Sequence, residues 1–218
     1  MTSYILEATS IFPLSKNKPR QAIILCHGYG GDGKDISALA INWQRFLPDA
    51  IFLCPNAPEV CVVNPQGYQW FDLTSEKKEI ILEKSLIAEE KLNTFLDQVF
   101  DNFQLEPSSI ALVGFSQGCM IGIQVGLKKK EQINCLIGYS GKIINQEHLS
   151  DNINSKPKMF LMHGVNDTVV PPTHLLEAKE YLKKYGINTK TKMFKNCEHK
   201  IPIEGSSLGL AFLKKNLL

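Results

Sequence analysis

The feature that most constrains the fold of this chain is the alternation of short strand-like runs with longer segments of helical character. Short apolar strands separated by helices are typical of a mostly parallel sheet that is covered on both faces. The chain is therefore predicted to be an α/β protein. The predicted strands are residues 23–25, 51–53, 110–113, 135–137, 159–162 and 190–194, with an edge strand at 4–8. The predicted helices are residues 35–46, 77–102, 117–129, 173–185 and 203–216.

Length and composition indicate one domain over residues 1–218. The chain has 218 residues, of which 44% are hydrophobic, and this is enough for a sizeable core. A net charge of +2 indicates no nucleic-acid partner. No stretch has the length of a membrane span and the N-terminus lacks a secretory pattern, so a cytoplasmic setting is expected.

The six cysteines have no metal-ligand spacing, and reduced thiols are expected. Four lie in apolar runs and are predicted to be buried, whereas Cys61 and Cys197 lie in predicted loops and remain candidates for accessible thiols. The run Lys128-Lys129-Lys130 is interpreted as the cationic end of a helix. A nucleic-acid patch is the alternative.

The motif Gly114-Phe115-Ser116-Gln117-Gly118 follows an apolar run and precedes a helical segment. This is where a strand turns sharply into a helix and exposes a serine nucleophile, with glycines at positions that have no room for a side chain. A second match, residues 205–209, has no strand before it. It is interpreted as a set of small residues that lets a helix pack closely. Ser116 is therefore the predicted nucleophile.

A serine nucleophile needs a base and an acid that orients the base. Asp167 follows the predicted strand 159–162, and His199 follows the strand 190–194. The order Ser116, Asp167, His199 is the chain order of α/β-hydrolases and differs from that of chymotrypsin and subtilisin. Because each residue lies just beyond a strand end, all three are expected at one edge of the sheet.

The chain resembles the phospholipase/carboxylesterase family of α/β-hydrolases, which includes the acyl-protein thioesterases. The resemblance covers nearly the whole chain and rests on several motifs in order. They are His27-Gly28-Tyr29-Gly30, Pro55-Asn56-Ala57-Pro58, Trp70-Phe71-Asp72, the Ser116 motif, His163-Gly164 with Asp167 and Val170-Pro171, and His199. Two positions depart from the family pattern, which usually has Gly where this chain has Glu198 and Cys119.

The resemblance implies an α/β-hydrolase fold and hydrolysis of carboxylic esters or thioesters through an acyl-enzyme, without a metal or cofactor. The backbone N–H groups of Tyr29 and Gln117 are the predicted oxyanion hole. The expected substrate is a small acyl ester or thioester, with an acylated protein or a lysophospholipid as further possibilities.

The connection over residues 55–75 is long enough to suggest a functional loop, and it is interpreted as a flap on the substrate side. Packing of its aromatic residues beneath the loop is the alternative. The predicted substrate contacts are apolar, which favours uncharged acyl chains of short to medium length. They are Trp70, Phe71, Leu73, Tyr139, Val169 and Val170.

Two other functions compete with hydrolysis. Residues 28–33 match the Gly-x-Gly-x-x-Gly fingerprint of dinucleotide-binding folds, but the second strand ends at Cys54-Pro55-Asn56 without the required acid, and Asp49 lies before it. A non-catalytic binding module is disfavoured because a nucleophile, acid and base are all present. Among the other histidines, His27 and His163 are expected to be structural, and His148 and His174 to lie on helix surfaces.

Overall fold

A computed structural model of the chain describes residues 4–74 and 77–218, and nearly all of the described strands belong to one sheet. The strands are β1 (Ala8–Ile11), β2 (Gln21–Cys26), β3 (Ala50–Pro55), β4 (Glu59–Val60), β5 (Tyr68–Gln69), β6 (Ile110–Phe115), β7 (Cys135–Tyr139), β8 (Lys158–Gly164) and β9 (Thr189–Phe194). The order in the main sheet is β1-β3-β2-β6-β7-β8-β9, and β4 pairs separately with β5. Within the main sheet, as far as it is described, only the edge strand β1 is antiparallel to its neighbour, β3.

Helices cover both faces of this sheet, as an α/β-hydrolase fold requires. They are α1 (Gly33–Trp43), α2 (Lys78–Phe103), α3 (Gln117–Lys128), α4 (Gln146–Ser150), α5 (Thr173–Lys184) and α6 (Ile203–Leu217). Side chains of α1 and α6 pack in one core cluster, and those of α2, α3 and α5 pack in another. The predicted fold class is therefore confirmed. In the part of the chain that is described, no helix is both long and apolar enough to cross a membrane.

Successive residues of a strand contribute to opposite faces, and the buried strands here show this directly. In β2, Ile24 packs with α2 and α3, whereas Ile23 and Leu25 pack with α1. In β6, Leu112 packs in the cluster of α2 and α3, and Val113 packs in the cluster of α1. Both sets are apolar because both faces of the sheet are covered by helices.

Most predicted elements are present, and the differences lie at their ends and in short elements. The edge strand is β1 at Ala8–Ile11, so it begins where the prediction of residues 4–8 ended. The end of the first predicted helix is a separate 3-10 turn, Gln44–Phe46. The prediction missed α4 and the two-residue strands β4 (Glu59–Val60) and β5 (Tyr68–Gln69). These elements are too short to have a readable period.

Small residues on α6 let this helix approach β7 and α1 closely, as the second glycine-serine motif predicts. The Tyr139 hydroxyl donates to the Gly205 carbonyl at 3.0 Å, and the Trp43 indole donates to the Ser206 hydroxyl at 3.0 Å. A Cβ atom on Gly209 would lie 2.2 Å from the Tyr139 hydroxyl. Residues 205–209 are therefore a packing motif in this structure.

The lysine run also lies where a helix ends. Lys128 is the last residue of α3 and its ammonium lies 2.6 Å from the Glu89 carboxylate of α2. Lys129 is buried and pairs with Asp97. Two of the three lysines are thus bound to α2, and they do not form an open basic patch.

Replacing Gly209 by Ala is expected to lower the free energy of unfolding by about 1–3 kcal/mol, because the added methyl group overlaps the Tyr139 hydroxyl. Gly122→Ala on α3 is the matched control, since its Cβ would meet nothing nearer than Leu136 at 4.0 Å. That change should raise stability by up to about 1 kcal/mol through helix propensity. Urea denaturation measures both values. A Gly209→Ala protein as stable as Gly122→Ala would contradict the packing described.

Candidate active site

Ser116 lies on a sharp turn between β6 and α3, where the backbone is strained. Its φ and ψ are 52° and −118°, outside the regions that residues other than glycine usually adopt. A Cβ on Gly114 would lie 2.5 Å from the Cys119 nitrogen, and one on Gly118 would lie 2.3 Å from the Cys26 carbonyl. Both glycines are therefore required by close backbone contacts, as the motif predicts.

The structure brings the three predicted catalytic side chains into one line of hydrogen bonds. The His199 Nε2 atom lies 2.9 Å from the Ser116 hydroxyl, and His199 Nδ1 lies 2.8 Å from Asp167 Oδ2. Since a carboxylate only accepts, the proton is assigned to Nδ1, and Nε2 is left to accept the serine proton. The residues follow β6, β8 and β9, whose carboxyl ends meet at one edge of the sheet.

The Asp167 carboxylate is held by several donors. Its Oδ1 accepts from the backbone of Val169 at 3.0 Å and of Val170 at 2.9 Å. Burial raises the pKa of Asp167, but the hydrogen bonds from His199 and the Val170 backbone outweigh it and hold the pKa below its usual value. Asp167 is therefore an anion, and it faces the imidazole with a fixed geometry.

His163 also contacts this carboxylate, as the structural histidine that the sequence predicts. Its Nε2 lies 3.2 Å from Asp167 Oδ2 and 2.8 Å from the Val170 carbonyl. Because both partners accept, Nε2 carries the proton and donates to them. Burial lowers the pKa of His163, so the ring is neutral. His163 thus fixes the loop that carries Asp167 without adding a positive charge.

The backbone N–H groups of Tyr29 and Gln117, the predicted oxyanion hole, lie on the loop after β2 and at the start of α3. Gln117 is the first residue of α3, so its N–H has no partner within the helix. Within residues 4–74 and 77–218, neither group donates to another backbone carbonyl. Both belong to residues that line the same pocket as Ser116.

An apolar cavity of about 500 Å³ opens at Ser116 and His199. Of the predicted substrate contacts, Phe71, Leu73, Val169 and Val170 line it. The cavity is also lined by residues that were not predicted as substrate contacts, among them Ile81, Phe115, Met120, Ile144, Pro171, Lys142 and His174. Met120 lies one helical turn after Ser116, and this spacing could have identified it. Ile81 enters only because α2 packs over the site, which no local pattern reveals.

Trp70 and Tyr139, the other two predicted contacts, do not line the cavity. Each is 1% exposed. The indole N–H of Trp70 donates to the His27 carbonyl at 3.0 Å, and Tyr139 packs with Trp43 and α6 on the other face of the sheet. The motif placed them near the site in sequence, but their side chains lie within the core. We therefore leave both out of the substrate pocket.

His174 and Lys142 make the cavity less purely apolar than expected. His174 was expected on a helix surface, but it is half-buried, lines the cavity and pairs with Glu177 at 2.8 Å. His148 is also half-buried, and its Nδ1 lies 3.3 Å from the Lys128 ammonium. Lys142 is exposed at the cavity.

The long connection after β3 is described up to Thr74, and Ser75 lies outside the described residues. Gly30 and Gly31 pair with Tyr68 through two backbone hydrogen bonds of 2.9 and 2.8 Å, so this connection is bound to the loop of Tyr29. Phe71 and Leu73 face the cavity from it, as the flap interpretation requires, while Trp70 packs beneath the loop. The two interpretations each describe part of the connection.

Asp72 anchors the end of this connection to α2. Its carboxylate pairs with Lys84 at 2.8 Å and accepts from the Thr74 backbone and hydroxyl at 2.8 and 2.6 Å. The hydrogen bonds from Lys84 and then from Thr74 lower the pKa of Asp72 to about 2. Leu73 is the residue between Asp72 and Thr74, so these hydrogen bonds restrict its backbone.

Neither residue that departs from the family pattern, Cys119 or Glu198, has a positive φ. The Cys119 side chain occupies space beside Gly138 and Gly141, where an added Cβ would lie 2.4 Å from its sulfur. Glu198 has no positive φ, and its side chain is exposed.

The cysteines are free and buried, and this corrects the expectation that Cys61 and Cys197 are accessible. These two are 1% and 3% exposed. The loops that carry them fold back onto the protein, which sequence position alone did not reveal. Burial raises the pKa of Cys119 to about 12, so its thiol is protonated and unreactive.

The glycine-rich loop after β2 is engaged in contacts within the protein. The Asp32 carboxylate caps α1 by accepting from the Asp35 backbone at 2.7 Å. The Gly33 N–H donates to the Asn56 side chain at 2.8 Å, and a Cβ on Gly33 would lie 2.0 Å from the Cys54 carbonyl. Asn56 therefore stands just after the strand, at the position where a dinucleotide-binding fold has the acidic residue that binds the ribose.

Comparison with known proteins gives consistent relatives over nearly the full length. The family model described as Phospholipase/Carboxylesterase matches residues 10–217. Acyl-protein thioesterase 1 of Aspergillus fumigatus is 29% identical, over 95% of this chain and 92% of that protein. Esterase YpfH of Escherichia coli is 22% identical, over 92% of this chain and 85% of that protein.

Solved structures share the fold. The crystal structure of esterase PE8 aligns with a TM-score of 0.93 and 36% identity, over 97% of this chain and 99% of that one. The structure of Arabidopsis thaliana SOBER1 has a TM-score of 0.80 at 20% identity, over 91% of this chain and 100% of that one, and supports the fold alone.

Catalysis by this site should be lost on acidification through a single ionisation, because only a neutral His199 can accept the serine proton. The lowered pKa values of Asp167 and His163 keep the first ionised and the second neutral where imidazoles usually titrate. The value of kcat/KM for an ester should therefore fall tenfold per pH unit on the acid side. A limb with a slope of two would contradict these assignments.

The control variant for this measurement is Glu198→Gln. Because the Glu198 side chain is exposed, water screens its charge, and the acid limb of kcat/KM should stay close to its wild-type position. A clear displacement of the limb towards lower pH would show that the carboxylate faces the imidazole.

Proposed function

Since the chain belongs to the phospholipase/carboxylesterase family and is a carboxylesterase- or thioesterase-like hydrolase, we propose that Ser116, His199 and Asp167 carry out its reaction through an acyl-enzyme. The observation that carries this proposal is the line of hydrogen bonds from Ser116 through His199 to Asp167, of 2.9 and 2.8 Å, at the wall of an apolar cavity. A binding module would have no need for this arrangement.

The first half of the reaction acylates the serine. His199 Nε2 takes the Ser116 proton as the hydroxyl oxygen attacks the acyl carbonyl, and Asp167 stabilises the imidazolium through Nδ1. The carbonyl oxygen becomes an oxyanion, which the N–H groups of Tyr29 and Gln117 bind. The bond to the leaving oxygen or sulfur then breaks, and His199 returns the proton to that atom. The acyl group remains on Ser116.

The second half of the reaction releases the acid. A water molecule enters where the alcohol or thiol has left, and His199 removes its proton as it attacks the acyl-enzyme. The same two N–H groups bind the second oxyanion, the bond between the acyl carbon and the Ser116 oxygen then breaks, and His199 returns the proton to that oxygen. Protein groups supply every proton transfer in this cycle, and no metal or cofactor takes part in it.

The preferred acyl group is apolar and of short to medium length. Phe71, Leu73 and Val170 line the cavity, together with Ile81 and Met120. The natural substrate is an acyl ester or thioester such as an acylated protein or a lysophospholipid, and the thioesterase relatives support the first of these.

The protein is proposed to work as one domain in the cytoplasm. Six free, buried cysteines support a reducing compartment. The internal pairing of Lys128 and Lys129 argues against a nucleic-acid partner.

Ser116→Ala is expected to abolish ester hydrolysis and labelling by a fluorophosphonate while the melting temperature stays close to that of the wild type. Asp167→Asn should reduce kcat by roughly 10⁴-fold, the scale found when a triad aspartate becomes its amide. Ser207→Ala is the control, because this exposed serine lies in the second glycine-serine motif and should retain both activities. Labelling of Ser207 or Ser140 in the Ser116→Ala protein would disprove the assignment of the nucleophile.

In a series of p-nitrophenyl esters and acyl thioesters, kcat/KM should rise with acyl chain length and then level off. Each buried methylene contributes up to about 0.8 kcal/mol, or roughly fourfold, until the cavity of about 500 Å³ is filled. Ile81→Trp should shorten the preferred chain because Ile81 lines the cavity, whereas Ile41→Trp on exposed α1 surface should not. A flat profile, or a preference for peptides or charged acyl groups, would exclude an apolar acyl site.

A further inference from the structure

The side-chain amide of Gln117 forms two hydrogen bonds that the proposed reaction does not use. Its Oε1 accepts from the Trp70 backbone N–H at 2.8 Å, and its Nε2 donates to the Phe71 carbonyl at 2.6 Å. The residue is 1% exposed. Because the amide meets a donor on one side and an acceptor on the other, the site requires a group that does both. An aliphatic side chain or a carboxylate cannot replace it.

Trp70 continues this connection to the loop of the other oxyanion donor. Its indole N–H donates to the His27 carbonyl at 3.0 Å, and both side chains are buried. His27 is followed by Gly28 and Tyr29. A path of hydrogen bonds and backbone therefore runs from the Gln117 side chain, through Trp70 and His27, to the Tyr29 N–H group.

The His27 ring fixes the same loop from its other side. Its Nε2 accepts from the Ala57 backbone at 3.0 Å, so Nδ1 carries the proton and donates to the Gly28 carbonyl at 2.7 Å. Burial lowers the pKa of His27 and keeps the ring in the neutral form that this pattern needs. The loop before Tyr29 is thus held by the hydrogen bond from Trp70 and by the two hydrogen bonds of the His27 ring.

We propose that the Gln117 side chain is a positioning residue that sets the distance between the two oxyanion donors, the N–H groups of Gln117 and Tyr29. This inference rests on the proposed function, because it assumes that an oxyanion forms between those groups. Gln117 supplies one donor from its backbone, and its amide holds the segment that anchors the loop of the other. A small displacement of such donors reduces the stabilisation of the transition state far more than it reduces the affinity for the substrate.

The experiment compares Gln117→Met with wild type, using a p-nitrophenyl ester of short chain length as substrate and butylboronic acid as inhibitor. The boronate forms a tetrahedral adduct with a serine nucleophile, and one of its oxygens resembles the oxyanion. Gln117→Met should lower kcat about tenfold to a hundredfold and weaken boronate inhibition by a similar factor, while KM changes less than about threefold. A partial loss of folded enzyme would lower the apparent kcat but would leave the boronate affinity of the remaining enzyme unchanged.

Two further variants keep the test informative. Gln124→Met is the matched control, because Gln124 lies two turns later on α3 and is fully buried, and its amide has no hydrogen-bond partner within the described residues. It should leave kcat and boronate affinity unchanged. Trp70→Phe removes the indole donor together with part of a buried ring, and it should shift kcat and boronate affinity in the same direction as Gln117→Met, by a smaller factor. It also serves if Gln117→Met does not fold.

The combined variant, Gln117→Met with Trp70→Phe, should lose less than the product of the two separate losses, since both changes interrupt one path. A Gln117→Met enzyme with kcat within about twofold of wild type overturns the proposal. A loss of kcat without a loss of boronate affinity overturns it as well. In either case an active wild type leaves the proposed function standing, whereas a wild type that hydrolyses no ester or thioester removes both.

Discussion

The contact on which this site depends is the close approach of the start of α3 to the end of β2. Only hydrogen fits on Gly118, because the carbonyls of Cys26 and His27 lie 2.3 and 2.4 Å from where a Cβ would be. This approach brings the loop of Tyr29 beside the turn of Ser116. It also leaves Ser116 at a φ of 52°, a conformation that a single residue holds only when its surroundings fix it.

Parallel strand order then decides which loops meet at the turn. β2, β6, β8 and β9 all point the same way, so the residues that follow them collect along one edge. Asp167 and His199 are 32 residues apart, but the pairing of β8 with β9 places their loops side by side. Hydrogen bonds between the loops, such as that from the Asn166 backbone to the Cys197 carbonyl at 2.9 Å, complete the arrangement.

The sequence predicted what depends on local pattern and chain order. The sheet, its main helices and the meeting of Ser116, Asp167 and His199 follow from apolar runs and from the residues just after them. It could not predict which side chains reach the cavity. Trp70 and Phe71 are adjacent in the chain and similar in chemistry, yet only Phe71 lines the pocket, because the Gln117 amide and the His27 carbonyl fix the segment. The burial of Cys197 and the position of Ile81 likewise depend on tertiary packing.

The packing of the Cys119 side chain restricts the order in which neighbouring residues can be substituted during evolution. Its sulfur fills the space that Gly138 and Gly141 leave open, so the three positions share one volume. A larger residue at either glycine requires a smaller one at Cys119 first, and the reverse order passes through an overpacked protein. The order of substitutions is therefore restricted beneath the nucleophile. With glycine at position 119, an added Cβ at 141 would lose its two nearest contacts, whereas one at 138 would still lie 2.8 Å from the Leu161 side chain.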